Sequence, residues 1–403
     1  MPLDMIRHRL LENWQTVPVY NTHCHHLPDQ EMQSLTLSRL LQQSYVGWMA
    51  SLSDVHDREA RRRFFDDFRC NSYSFWLFQA IEALYPQEHP LNADSWEDYD
   101  RAIRLAHETE THHLDLLRDR CRYQAVILDQ YRDPGSDNGH PEIFHPTFRC
   151  DAFFSGYDRG ARDHDGVSPY DVLGLSSDLS LDEYLAAIRL TITQARDSHH
   201  AVAIKVAMAY ERDLLFLPPD RTKAERAFGQ TDAALQDVRA FHDLLMDELM
   251  SIAADLRLPV QIHTGLGQLD GTAAMNLRPL ISRHQNVRFD LFHGSFPWTD
   301  DILALAHVYQ NVYIDLCWLP IISPARAIQF IREATEVSDA RRIVWGCDTW
   351  TSEESYGALL AVRHCLAAAL AEQVASGYYD ITEAERIGCR ILGSNTRQLM
   401  NLN

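Results

Sequence analysis

The rhythm of polar and apolar positions along this chain changes near residue 120. Ahead of that point only one strand pattern is visible, residues 19–26, Val-Tyr-Asn-Thr-His-Cys-His-His. Alternation along a strand puts His23 and His25 on one face and Cys24 on the other. From about residue 30 to 120 apolar positions recur at helical spacing instead, in Leu35–Met49, Arg61–Tyr85 and Trp96–Arg120. Aromatic residues crowd this region (Phe64, Phe65, Phe68, Tyr73, Phe75, Trp76, Phe78), and the plain expectation is that they pack a helical insertion rather than roof a cleft.

Beyond residue 120, strand and helix alternate. Strand patterns appear at Tyr123–Gln130 and Ile143–Cys150, and the Asp- and Gly-rich stretch Tyr157–Ser177 reads as a surface loop. Ser180-Leu-Asp-Glu183 is a capping box opening a helix to about Asp197. Strands then fall at Ala201–Val206, Leu258–His263, Val287–Phe292, Val312–Leu316 and Arg342–Gly346. Helical patterns lie between them at Asp232–Leu256, Ala273–Arg283, from Thr299, and from the cap and proline Ser323-Pro324. Two more follow, Glu353–Val374 and one capped by the box Thr382-Glu-Ala-Glu385. The later strands are near-continuous apolar runs, as expected of a parallel sheet covered by helices. Eight such strands with short connections, and no Gly-x-Gly-x-x-Gly fingerprint, predict an α/β fold of the (β/α)8 TIM-barrel type. The expectation is one domain over residues 1–403, with a helical insertion after strand 1 at about 30–120.

Composition narrows the partners. A formal net charge of −20 argues against nucleic acid or an anionic membrane surface. No apolar run approaches the length of a membrane helix. The start, Met-Pro-Leu-Asp-Met-Ile-Arg, carries no signal-peptide pattern, and the 8 cysteines form no CxxC pair, so a reducing cytoplasm is the expected location. A small-molecule substrate is the expected partner, and a homo-oligomer is compatible with this composition.

Chemistry enters where the strands end. His23 and His25 end strand 1, Lys205 lies on strand 4, His263 ends strand 5, His293 follows strand 6 and Asp348 follows strand 8. Barrel active sites form at the C-terminal strand ends, and imidazole and carboxylate are ready metal ligands. A single core histidine is usually a satisfied structural residue, but six ligand-type groups at one mouth are hard to explain as packing.

The order His-x-His, Lys, His, His, Asp over strands 1, 4, 5, 6 and 8 resembles the amidohydrolase superfamily of metal-dependent barrels. Ile204-Lys-Val-Ala207 and Pro259-Val-Gln-Ile-His-Thr264 look like strands 4 and 5 of its phosphotriesterase branch, in which the lysine is carboxylated and bridges two metals. Over roughly residues 200–350 the chain is more similar to nodulin-like amidohydrolases, some of them fused to glutamine synthetase. The matching segments run from Lys205 to Leu214, His263 to Gly267, Leu277 to Leu280, Phe292 to Trp298 and Asn311 to Asp315. The strand-free stretch after strand 1 and Pro146-Thr-Phe-Arg-Cys-Asp151 are instead similar to uronate isomerases.

Nitrogen and carboxylate ligands with an open position suit Zn²⁺ first, with Mn²⁺ or Fe²⁺ as alternatives. Such a metal brings the pKa of a bound water down to about 7, and Asp348 is placed to accept and return its proton. With Lys205 carboxylated the site holds two ions. With a free lysine one ion sits among His23, His25, His263 and Asp348, and His293 polarises the substrate. Arg149 and Arg212 are candidate forks for a carboxylate or phosphate, Tyr210 a candidate donor, and Trp298 and Trp350 candidate walls. The leading function is hydrolysis of an amide, lactone or ester in a small molecule. The alternatives are an isomerase or lyase on a sugar acid, and a catalytically silent barrel that binds a metabolite.

Overall fold

In the computed structural model all residues are described except Ser51, Ser53, Asp54, His56, Ser177 and Asn403. One sheet holds eight strands in sequence order: β1 (Val19–Cys24), β2 (Tyr123–Leu128), β3 (Phe144–Arg149), β4 (Ala203–Val206), β5 (Val260–Ile262), β6 (Phe289–Leu291), β7 (Val312–Asp315) and β8 (Ile343–Val344). The pairs from β3 to β8 are parallel, with Arg149 opposite Lys205, Lys205 opposite Gln261 and Gln261 opposite Asp290. Register therefore lines these four polar side chains along one face, and all four are buried. Helices follow the strands, and the fold is the expected (β/α)8 barrel.

The chain packs as two compact units, one of Met1–Val126, Leu316–Thr335 and Trp345–Ser394, the other of Ile127–Asp315, Glu336–Val344 and Asn395–Asn403. In the first, the backbone that continues β8 runs along β1: Thr22 N–H donates to Trp345 O at 3.1 Å and Asp348 N–H to His23 O at 2.9 Å. Gly346 permits that approach, because a Cβ there would lie 2.5 Å from Thr22 Oγ1 and 2.7 Å from His23 N.

Between β1 and β2 the described residues form only helices. These helices bury a core of their own, including Leu37, Leu40, Leu41, Phe64, Phe65, Phe78, Trp96, Tyr99 and Ile103. The long expected helices are interrupted: Leu35–Met49 resolves into Leu37–Gln42 and Tyr45–Met49, and Arg61–Tyr85 into Arg58–Phe68 and Ser72–Leu84. The breaks fall where Ser44 and Asn71 take extended backbone and cap the next helix, a local hydrogen bond that competes with helix continuation.

The capping box Ser180/Glu183 is present with both hydrogen bonds. The second box moves: the helix Ile381–Cys389 is capped by Asp380, which accepts from Glu383 N–H, rather than by Thr382. The loop expected at the surface is partly interior, since Asp163, Ser168 and Tyr170 are buried; its last residue, Ser177, lies outside the described residues. One further expectation is corrected. The helix Ser352–Ala375 is long and apolar enough to cross a membrane, but 72% of that window is buried inside the protein, as in a core helix.

Candidate metal centre

Within the first unit, three sequence-predicted ligands converge. Asn21, His23 and His25 alternate along β1 and its end, and Asn21 Oδ1 accepts from the amides of His23 (3.1 Å) and Cys347 (2.9 Å). The turn that carries Asp348 is thereby tied to β1. Asp348 itself sits at φ 59°, a left-handed conformation that Asp tolerates better than most residues. Its Oδ1 lies 3.5 Å from His23 Nε2 and 3.2 Å from His25 Nε2, and the two Nε2 atoms are 3.3 Å apart.

This triangle fits a metal. Bonds of about 2.0–2.2 Å arranged tetrahedrally place neighbouring donor atoms about 3.3–3.6 Å apart. All three side chains are buried, so the carboxylate and both rings give up solvent to face one another. Cys347, next to Asp348, is no rival ligand in this arrangement: burial pushes its thiol up, and its sulfur is engaged by Asn21 and Thr349.

Aromatic side chains stand against the triangle. Trp350 stacks on His25 with ring centres 5.8 Å apart, and Tyr45 and Trp48 pack on Trp350 at 4.9 and 5.7 Å. Tyr45 also stacks on Trp318 (4.8 Å) and Tyr73 (5.0 Å). The insertion therefore supplies a wall here through Tyr45 and Trp48, which lie outside the aromatic cluster expected to pack it, while Phe64, Phe65 and Phe78 of that cluster lie in its core. Burial, with Asp348 and Glu354 nearby, pushes the Tyr73 hydroxyl well above the usual phenol range. Glu354 holds the wall together, its carboxylate accepting from Tyr45 N–H at 2.9 Å and Trp350 N–H at 3.2 Å. Its burial pushes it up to about 8. Sequence reading missed Tyr45, Trp48, Trp318, Glu354 and Asn21. The Thr351-x-x-Glu354 spacing was the one available signal, and it spoke only of a helix cap.

Within the second unit, His263 and His293 pair, with Nδ1 and Nε2 3.0 Å apart. His263 Nε2 meets Leu266 O, which can only accept. In the neutral ring Nε2 therefore carries the proton, and Nδ1 accepts from His293 Nε2–H. His293 occupies φ 65°, an uncommon conformation for a bulky residue and a form of strain seen at functional sites. Tyr210 lies against His263 with ring centres 4.5 Å apart. Lys205 Nζ sits 3.9 Å over the Phe292 ring. Asp290 is pushed up by burial and by Asp315 beside it, with Lys205 pulling the other way.

The two arginines are not the open forks anticipated. Arg149 is buried among the protein's own carboxylates: its Nη1 donates to Asp129 at 2.6 Å, and its Nε lies 3.0 Å from Asp151 and 3.4 Å from Asp165. Arg212 donates to Asp213 O and Leu215 O, pinning its own loop. Trp298 is half-exposed ahead of the helix Thr299–Val308.

Comparison with known proteins now bears on the assignment. Residues 218–385 match the Amidohydrolase family model. Over those residues, less than half of its length, the chain resembles the Amidohydrolase family. This barrel is 28% identical over 261 residues to protein fluG of Emericella nidulans, a match covering 60% of the chain and 30% of that longer protein. The glucuronate isomerase of Caulobacter crescentus has the same fold, at a TM-score of 0.79 and 20% identity over 100% of this chain and 95% of that one. So does the uronate isomerase of Thermotoga maritima, at 0.76 and 16% over 98% and 97%. The donor atoms of His23, His25 and Asp348 lie close enough together to hold one metal ion.

Proposed function

We propose that this chain is a metal-dependent hydrolase cleaving an amide, lactone or ester bond in a small molecule. The observation that carries the reading is the buried triangle of His23 Nε2, His25 Nε2 and Asp348 Oδ1 at tetrahedral spacing. A divalent ion held there, zinc first, supplies Lewis acidity and a water that ionises near neutral pH. Asp348 takes up the proton released in attack and returns it to the leaving group. Trp350, Tyr45 and Trp48 exclude water from the reacting face. A net charge of −20 supports a small molecule rather than nucleic acid as partner, and 8 unpaired cysteines support a reducing compartment such as the cytoplasm.

A second reading, isomerisation of a sugar acid, draws on Lys205. Its Nζ lies 3.9 Å over the Phe292 ring, and as an ammonium it carries the charge that a substrate carboxylate requires. Zinc-loaded protein incubated with a panel of amides, lactones and uronates separates the two by product mass. Hydrolysis adds one water to the substrate; isomerisation leaves its mass unchanged. Mass-neutral conversion of a uronate with no hydrolysis across the panel overturns the first reading in favour of the second.

A further inference from the structure

Away from the His23–His25–Asp348 triangle, the first unit gathers a second set of ligand-type side chains. Glu353 Oε1 lies 2.7 Å from His107 Nε2 and 2.6 Å from the Tyr85 hydroxyl. That hydroxyl is 3.0 Å from His112 Nε2 and 3.5 Å from His107 Nε2. One donor atom from each of His107, His112 and Glu353 lies within 4.8 Å of the others. Glu353 and His107 are buried, while His112 is only partly so and opens the cluster to solvent. Glu353 Oε2 is buried with no hydrogen-bond partner.

We propose that His107, His112 and Glu353, with Tyr85 alongside, form a second transition-metal site of the zinc class, structural in role. Two imidazoles and a carboxylate are a known zinc donor set, and a fourth position is open to the Tyr85 oxygen or a water. The orphaned Oε2 gives the site a ligand atom that hydrogen bonding leaves unused. An entry path runs past His112.

The site has a structural consequence. Tyr85, His107 and His112 belong to the region between β1 and β2, while Glu353 lies in the first turn of the helix Ser352–Ala375, just after the turn that carries Asp348 and Trp350. An ion there would clamp the insertion to the start of that helix. The inference stands apart from the proposed reaction, since no residue of the triangle takes part.

Crystals of the full chain grown with zinc chloride test it directly. Anomalous scattering at the zinc edge should place a peak about 2.0–2.2 Å from both Nε2 atoms and a Glu353 oxygen. Zinc per chain, measured after dialysis on variants that retain the parent's circular dichroism, should fall by one ion in His112→Ala. The melting temperature of His23→Ala should still rise with zinc. No anomalous peak at the cluster, with His107 and Glu353 remaining at hydrogen-bond distance, overturns the proposal. So does equal zinc content in the parent and His112→Ala. The crystallographic arm needs no variant, so a misfolded mutant does not rescue the idea.

Discussion

At the scale of single residues, the triangle makes two expectations. His23→Ala removes one of three donors and should lower the zinc content of protein purified without chelator by the ion held at the triangle, with the far-ultraviolet spectrum unchanged; full metal content would remove His23 from the site. Asp348→Asn keeps the volume but cannot act as a carboxylate base, and turnover should fall by roughly 10²–10⁴-fold. A third expectation concerns His242, buried with one nitrogen 3.0 Å from Phe154 O. Burial lowers this histidine from 6.5 to about 3. Between those values the unfolded chain takes up a proton that the folded state refuses. The contribution is complete above pH 6.5 and drains as pH falls toward 3, by at most about 1.4 kcal/mol per pH unit. Asp243, pushed up by burial from 3.8 to about 6, pulls the other way over that interval. His242→Gln should therefore lose less stability than the parent between about pH 7 and pH 4.5 in urea titrations; equal losses would mean that the ring is not neutral in the fold. The meeting of His23, His25 and Asp348 was legible because strand alternation and strand ends are local properties. The surroundings of Arg149 were not, because Asp129 and Asp165 come from segments remote from it and only Asp151 is a neighbour in sequence.

At the scale of elements, helix caps and close approaches decide the detail. Thr382 and Asp380 compete to cap the same helix, and Asp380 prevails in keeping with the greater preference for Asp at that position. The spacing rule found the helix but not which of two adjacent oxygens starts it. The Gly346 contact gives a sharper test. A methyl group at Gly346 has nowhere to go beside Thr22 and His23, so Gly346→Ala should cost about 1–3 kcal/mol and displace the turn that carries Asp348. Its zinc affinity should drop with its stability, although Gly346 touches no metal. A variant that melts earlier yet binds zinc as the parent does would uncouple the turn from the triangle. The aromatic wall was invisible for a related reason. Tyr45, Tyr73, Trp318 and Trp350 come from four places in the chain, and the carboxylate of Glu354, bonded to two of those segments, ties part of the wall together.

At the scale of the molecule, the barrel was legible because β/α alternation repeats along most of the chain and each repeat confirms the last. The insertion was legible as helical, but its own apolar core was not, since that core joins residues as distant as Leu37 and Ile103. The triangle, too, joins distant residues, and the distance has a consequence in time. His23 and His25 leave the ribosome near the start of synthesis, and Asp348 follows more than three hundred residues later. At about 5–20 residues per second that gap is roughly 15–60 s. For all of it the two histidines hold no third partner, so the nascent chain cannot use this centre to guide its own folding. Any ion held by all three donors would be taken up only after synthesis has passed Asp348.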